Sequence, residues 1–208
     1  MTTNAAAMSR RPALCSPRAG RAFFSAALLR QGTTGAIAPS SARLAAQLAR
    51  AVSFERAGTR VVVELGPGSG AVTGHVTGRL IRGDRQLALE VNPRLVAVLQ
   101  HDHPGIEVIT GDARRLGALL LDRGVSRADS VVCGLPWGLF DRATPQTMLE
   151  QIATLLVPGG RFSTFAYLPF VAVPSARRFR ALLHATFDTV TRDIVWSNLP
   201  PAVVYTCR

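Results

Sequence analysis

The run Val61-Val-Val-Glu64-Leu-Gly66-Pro-Gly68-Ser-Gly70 constrains this chain more than any other stretch. β-Branched apolar residues followed by glycine at every second position describe a buried strand that turns tightly beneath a ligand. Gly66, Gly68 and Gly70 permit backbone angles and a close approach that a Cβ would forbid. Glu64 stands at the end of that strand, where a carboxylate can accept hydrogen bonds from a polar ligand. Two further acids repeat the placement. Glu90 ends the run Leu87-Ala88-Leu89, 20 residues after Gly70, where an acid can grip ribose hydroxyls. Asp112 follows the strand-like run 106–110 and lies 22 residues after Glu90. Three strand ends, each with a carboxylate, point to an adenosyl ligand held along one sheet edge.

Around this motif the chain alternates at α/β spacing. The pattern predicts strands over 60–65, 86–90, 106–110, 129–134 and 160–166, with helices over 70–81, 93–101, 113–122, 144–156 and 174–185. Pro93 suits the first turn of its helix, and Pro158-Gly159-Gly160 stops the helix before it and turns into the fifth strand. The last two strand-like stretches, 187–196 and 202–207, are joined too briefly for a crossover and are expected to be antiparallel. The fold expected is therefore α/β, a Rossmann-like sheet that is mostly parallel and closes with an antiparallel hairpin. Ahead of it, a helix over 42–52 with Ser40 or Ser41 as N-cap is expected, and a short amphipathic helix over 18–31. The organisation read from this is a basic disordered tail over 1–17, an N-terminal helix–loop–helix unit over 18–55 and a ligand-binding domain over 56–208.

Charge is uneven. Residues 1–60 carry nine arginines against the single acid Glu55, a net +8, whereas residues 61–208 carry 15 arginines against 12 acids. A basic N-terminal segment suits a polyanionic surface, nucleic acid or anionic lipid. The chain has no lysine. Three cysteines, Cys15, Cys133 and Cys207, are odd in number and widely spaced, which favours neither a metal site nor a disulfide and suits a reducing cytoplasm. The apolar run 22–29 is far shorter than the roughly 20 residues a membrane span needs.

Taken alone, the glycine turn is ambiguous, because Gly66-x-Gly68-x-x-Ala71 also satisfies a dinucleotide fingerprint. Glu64 tilts the balance: a carboxylate two residues before Gly66 repels a pyrophosphate, whereas S-adenosyl-L-methionine has no phosphate and carries an amino group and a sulfonium. Asp112 suits the adenine amino group, or the N-cap of the helix after it. The candidate cofactor contacts are Glu64, Gly66, Pro67, Gly68, Ser69, Gly70, Glu90, Val91, Asp112, Ala113 and Cys133. The turn after the fourth strand, Gly134-Leu135-Pro136-Trp137, presents backbone carbonyls that can accept the N–H bonds of an amine. Trp137 offers an aromatic face for a cationic product. Tyr167, ending the fifth strand, completes the catalytic set Gly134, Leu135, Trp137 and Tyr167, and no metal is expected. Among other ionisable groups, Asp141 is nearest in sequence to this turn, and His75, His101 and His103 read as surface residues.

These motifs resemble those of class I S-adenosylmethionine-dependent methyltransferases, and more closely those of bacterial phospholipid N-methyltransferases. The resemblance spans about Phe24 to Tyr205. It rests on Gly35-Ala-Ile-Ala-Pro-Ser-Ser41, Glu64-Leu-Gly-Pro-Gly-Ser-Gly70, Glu90, Gly111-Asp-Ala113, Gly134-Leu-Pro136, Phe165-Ala-Tyr167 and Asn198-Leu-Pro-Pro-Ala202. Trp137 departs from the smaller apolar residue common in the lipid-modifying group, and the arginine-rich segment before Phe23 has no counterpart. The resemblance implies methylation of the amine headgroup of phosphatidylethanolamine towards phosphatidylcholine by a cytoplasmic enzyme bound peripherally to an anionic membrane. It also implies that the 18–31 helix lies in the membrane interface. The rival is an rRNA adenine N6-dimethyltransferase, which shares the fold and an Asn-Leu-Pro-aromatic turn. Here Gly134 replaces the asparagine, and a further RNA-binding domain is not expected after Arg208.

Overall fold

The computed structural model describes residues 39–52 and 58–208. The tail over 1–17 and the helix over 18–31 lie outside those residues. The described chain begins with helix α1 (Pro39–Ala49) and then alternates β1 (Val61–Leu65), α2 (Thr73–Thr77), β2 (Arg85–Glu90), α3 (Pro93–Asp102) and β3 (Glu107–Thr110). It continues with α4 (Leu116–Leu121), β4 (Ala128–Cys133), α5 (Thr144–Leu155), β5 (Leu156–Tyr167), α6 (Pro174–Thr186), β6 (Val190–Val195) and β7 (Ala202–Cys207). The seven strands form one sheet in the order β3-β2-β1-β4-β5-β7-β6. Pairings among β1 to β5 are parallel, and β7 is antiparallel to both β5 and β6. Strand order reverses beside β1, the place where open α/β sheets bind ligands.

Alternation along the strands fills both faces. Val63, Leu65, Leu87, Leu89, Val131 and Phe162 pack with α4, α5 and α6 through Leu116, Leu149, Ile152 and Leu183. On the other face Val62, Val132 and Val204 meet Leu44 and Leu48 of α1, with Val52 and Val76. The attachment of α1 is polar as well as apolar. Helices end with unpaired carbonyls; here the Ser163 hydroxyl of β5 donates to Leu48 O at 2.8 Å and the Ser130 hydroxyl of β4 donates to Ala51 O at 2.8 Å. No described helix is long and apolar enough to cross a membrane.

Several expected boundaries move, each for a local reason. Helix α1 starts at Pro39, so Ser40 and Ser41 lie in its first turn rather than capping it. The helix expected over 70–81 shrinks to α2, because Gly70 sits at φ +85° and cannot belong to a right-handed helix. The helix expected over 113–122 divides into a 3₁₀ turn, Ala113–Arg115, and α4. Pro158-Gly159-Gly160 does not separate helix from strand: the chain is extended from Leu156, and the three residues form an irregularity within β5, opposite a register shift between Ala128 and Ser130. Replacing Leu48 by Ala, in a site only 1% exposed, is expected to lower the unfolding free energy by about 3 kcal/mol, read from urea denaturation.

Candidate active site

The strand ends build a cradle from the centre of the sheet outward. Gly66, Gly68 and Gly70 have φ of +65°, +61° and +85°, a region that side-chain-bearing residues rarely enter. The turn is sealed by neighbours on two sides. A Cβ on Gly66 would lie 2.5 Å from Leu135 Cδ2, and one on Gly70 would lie 2.6 Å from His103 Nε2. His103, read from sequence as a surface residue, is thus packed on the glycine turn. Glu90 closes the turn from β2: Oε2 accepts from Gly68 N at 3.2 Å and Oε1 accepts from Asn92 N at 2.9 Å.

Glu64 lies beneath this turn rather than in water. It is 1% exposed, with Oε2 accepting from Gln86 Nε2 at 3.2 Å and Oε1 buried without a well-formed hydrogen bond. Burial pushes its carboxyl up to about 7, against the downward pull of Thr73 and Gln86. Gln86 is itself fixed. Its Nε2 donates to Thr73 O at 3.3 Å, and its Oε1 accepts from the Thr77 hydroxyl at 2.8 Å. Gln86 and the threonines of α2 are the members of the site missing from the sequence reading. The available signal was a glutamine at a buried position of β2, paired with Val62 and so on the same face as Glu64. A buried, half-satisfied carboxylate under a glycine cradle fits a cationic ligand without phosphate, as S-adenosylmethionine is. The residues that would hold it are Glu64 and the turn 66–70, with Glu90 at the neighbouring strand end.

The outer candidates divide. Val91 is exposed on the rim beside Glu90, and Ala113 is half-buried at the start of its 3₁₀ turn. Asp112 caps that turn, accepting from Arg114 N at 2.9 Å and pairing with the Arg114 guanidinium, which holds its carboxyl below the usual range. Pro67 and Ser69 fill the glycine turn. The Cys133 side chain is buried in the core, where burial pushes its thiol up to about 12, so only its backbone can face a ligand.

The turn after β4 packs directly on the cradle. Gly134 N donates to Leu65 O at 2.8 Å, and a Cβ on Gly134 would lie 2.8 Å from Gly66 O. Leu135 O already accepts from Trp137 N at 3.1 Å, whereas the Gly134 carbonyl has no donor among the described residues. Trp137 corrects the expectation of a free aromatic face. Its ring stacks on Phe179 at 4.6 Å, its edge contacts involve Phe140 and Phe162, and Nε1 donates to the Thr164 hydroxyl at 2.7 Å. Tyr167 is also buried, but within the cluster on the α1 face, so the sheet separates it from Trp137. Burial raises the Tyr167 phenol, which keeps it neutral at pH 7. Asp141 accepts from Thr144 N, the Thr144 hydroxyl and Ala143 N; these bonds hold its carboxyl low and make it a helix cap rather than a base.

Two substitutions test this geometry. Ionising Glu64 costs the ligand-free protein stability: the contribution is full below about pH 4.5 and is lost as pH rises through about 7. The loss is about 3 kcal/mol. Glu64→Gln is expected to flatten that slope in urea unfolding. The same change removes the rise in S-adenosylmethionine affinity with pH that calorimetry is expected to record for the wild type. Gly134→Ala is expected to weaken cofactor binding about tenfold, because the added methyl pushes on the Gly66 carbonyl.

Comparison with known proteins bears on the fold and the family. No protein-family profile matches the chain. The ornithine lipid N-methyltransferase of Singulisphaera acidiphila is 34% identical over 190 residues, covering 89% of this chain and 94% of that protein. Among solved structures, the N-methyltransferase NodS of Bradyrhizobium japonicum, in complex with S-adenosyl-L-homocysteine, superposes with a TM-score of 0.64 at 15% identity. It covers 88% of this chain and 96% of that one. A TehB-like S-adenosylmethionine-dependent methyltransferase from Corynebacterium glutamicum gives a TM-score of 0.58 at 15% identity, over 91% of this chain and 98% of that one. At such identities the structures speak for the fold; the curated relative speaks for the family. The chain belongs to the lipid-modifying class I S-adenosylmethionine-dependent methyltransferases, the family that includes the ornithine lipid N-methyltransferase of Singulisphaera acidiphila.

Proposed function

We propose that this enzyme methylates the terminal amine of a membrane amino lipid with an ornithine-type headgroup, working at the cytoplasmic face of the membrane. The acceptor follows the 34% identical relative named for that activity; phosphatidylethanolamine, expected from the sequence, is the competing acceptor. The observation that carries the reading is the contact between the two turns. The Gly134 carbonyl, without a donor among the described residues, belongs to a turn packed against Gly66. An amine accepted by that carbonyl therefore sits beside a ligand seated on the 66–70 cradle.

The bound cofactor supplies an electrophilic methyl group on a sulfonium. The protein's part is alignment, which can account for much of the acceleration of a displacement at carbon. The nucleophile must be neutral. An alkyl amine titrates about three units above neutrality, so its free base costs about 4 kcal/mol in water. Desolvation of the amine in the site and a neighbouring positive charge both lower that cost. With Asp141 held as a helix cap, the reading needs no dedicated carboxylate base; the proton leaves to solvent as the amine is desolvated. Tyr167, neutral at the end of β5, is the side chain proposed to contact the amine.

Labelled methyl transfer is the test, with vesicles containing ornithine lipid, vesicles containing phosphatidylethanolamine, and total RNA offered side by side. Ornithine lipid is expected to be labelled at least about tenfold faster than phosphatidylethanolamine, a discrimination of about 1.4 kcal/mol. Preferential labelling of RNA would transfer the assignment to the adenine-modifying rival. Tyr167→Phe and Tyr167→Ala are expected to lower turnover while leaving calorimetric cofactor affinity within about twofold. Wild-type rates in both variants would remove Tyr167 from the site.

A further inference from the structure

Two large apolar side chains project from the surface at the edge where the cradle lies. β5 and β6 are each antiparallel to β7, so they run the same way. Their last residues, Tyr167 and Val195, both pair with Ala202. The connection 196–201 therefore lies on the same sheet edge as the 66–70 and 134–137 turns. Within it Leu199 is 89% exposed and Trp196 is 69% exposed. Exposed leucine alone is common on proteins, but a tryptophan and a leucine on one short connection form an apolar prominence of the kind that marks an interaction site.

The connection is braced rather than loose. Asn198 is buried, its side-chain Nδ2 donates to Pro200 O at 2.7 Å, and Leu168 N donates to Pro201 O at 2.7 Å. Beside the prominence, Arg43 of α1 and Arg50 just past its end line a hollow of about 500 Å³ with Ile194 and Trp196. No carboxylate among the described residues pairs with either arginine, and Asp193, the acid of β6, accepts instead from Gln47 Nε2 at 3.0 Å. Residues 1–38, which precede α1 in the chain, carry five arginines and no acid. Tryptophan and leucine flanked by arginine match the interface of an anionic bilayer: the rings and methyls enter the headgroup–acyl boundary and the guanidiniums meet phosphate.

We propose that the 196–201 connection is an interfacial wedge, with Trp196 and Leu199 inserted into an anionic lipid surface and Arg43 and Arg50 on its phosphates. The wedge turns the cradle edge of the sheet towards the membrane. This rests on the reading that the acceptor is a membrane lipid, and the experiment separates the two. Trp137 and Trp196 are the only tryptophans of the chain, and Trp137 is 7% exposed, so a change in emission on docking reports Trp196.

The full-length protein is titrated with vesicles of phosphatidylglycerol and phosphatidylcholine, with vesicles of phosphatidylcholine alone, and with brominated forms of each. None of these lipids offers a primary amine, so docking is read apart from catalysis. Anionic vesicles are expected to shift tryptophan emission to the blue and brominated anionic vesicles to quench it. Both responses are expected to vanish in Trp196→Phe. Leu199→Ser is expected to weaken vesicle binding about tenfold, from the loss of one buried leucine, with cofactor affinity and thermal unfolding unchanged. Unquenched emission from protein that still sediments with the vesicles would overturn the wedge, as would Leu199→Ser binding like wild type. Emission already blue-shifted without lipid, accompanied by a dimer in light scattering, would assign the prominence to a second copy instead. Quenching of Trp196 in a protein that methylates no lipid would leave the wedge standing and sink the proposed function.

Discussion

Glu64 is the constraint around which the rest is arranged. A carboxylate held at 1% exposure on the central strand is costly when ionised, and its Oε1 lacks a well-formed hydrogen bond. The surrounding structure only partly offsets that cost, through a glutamine on the adjacent strand and threonines on the short helix after the glycine turn. Hydrophobic residues at the same positions would make a more stable sheet. The arrangement becomes favourable when a cation arrives above it, because the charge that burial penalises is then the charge that binds. Stability and ligand affinity draw on the same carboxylate in opposite directions.

The second constraint is crowding between two turns. Gly66 and Gly134 come from strands adjacent in the sheet, and a Cβ on either would collide with the other turn. This explains why glycine stands where the rival adenine-modifying pattern has asparagine: a side chain at position 134 would push into the Gly66 carbonyl. It also leaves the Gly134 carbonyl at the seam between the two turns. Trp137 supports the seam from below. Its stacking on Phe179 and its bond to Thr164 tie the 134–137 turn to α6 and β5, so its large apolar surface stiffens the turn.

What could be read from sequence follows from whether a residue's role is local. The order of strands and helices and the antiparallel closure were legible because period and connection length are local quantities, and the glycine cradle was legible because positive φ selects glycine by itself. The placement of Glu64, Glu90 and Asp112 at strand ends was legible on the same grounds. Direction into one face or the other of the sheet was not. Trp137 lies past the end of β4, where orientation depends on the turn, whereas Tyr167 is the last paired residue of β5 and takes its face from the strand's alternation, so their rings end in different cores. Gln86 was passed over because its partner lies on another strand, and only the register of β1 against β2 brings it beneath Glu64. The extension of β5 through Pro158-Gly159-Gly160 likewise depended on pairing with β4, which overrode the usual reading of that tripeptide as a stop.

The N-terminal helix shows how a segment outside the parallel sheet becomes part of its mechanics. The carbonyls at and just after the end of α1 would be unpaired in an isolated helix. Here buried serine hydroxyls from β4 and β5 satisfy Leu48 and Ala51, and the Arg79 guanidinium donates to Val52 O at 3.3 Å. A hydroxyl buried in a sheet needs a partner as much as a helix carbonyl does, so each resolves the other's deficit. The result fixes α1 to the same strands that end in the Gly134 turn and Tyr167. With α1 held to the sheet in this way, the connection carrying Trp196 and Leu199 and the glycine cradle share one edge of one braced sheet, and that fixed relation is what the proposed acceptor, a lipid held in a membrane plane, requires of the enzyme.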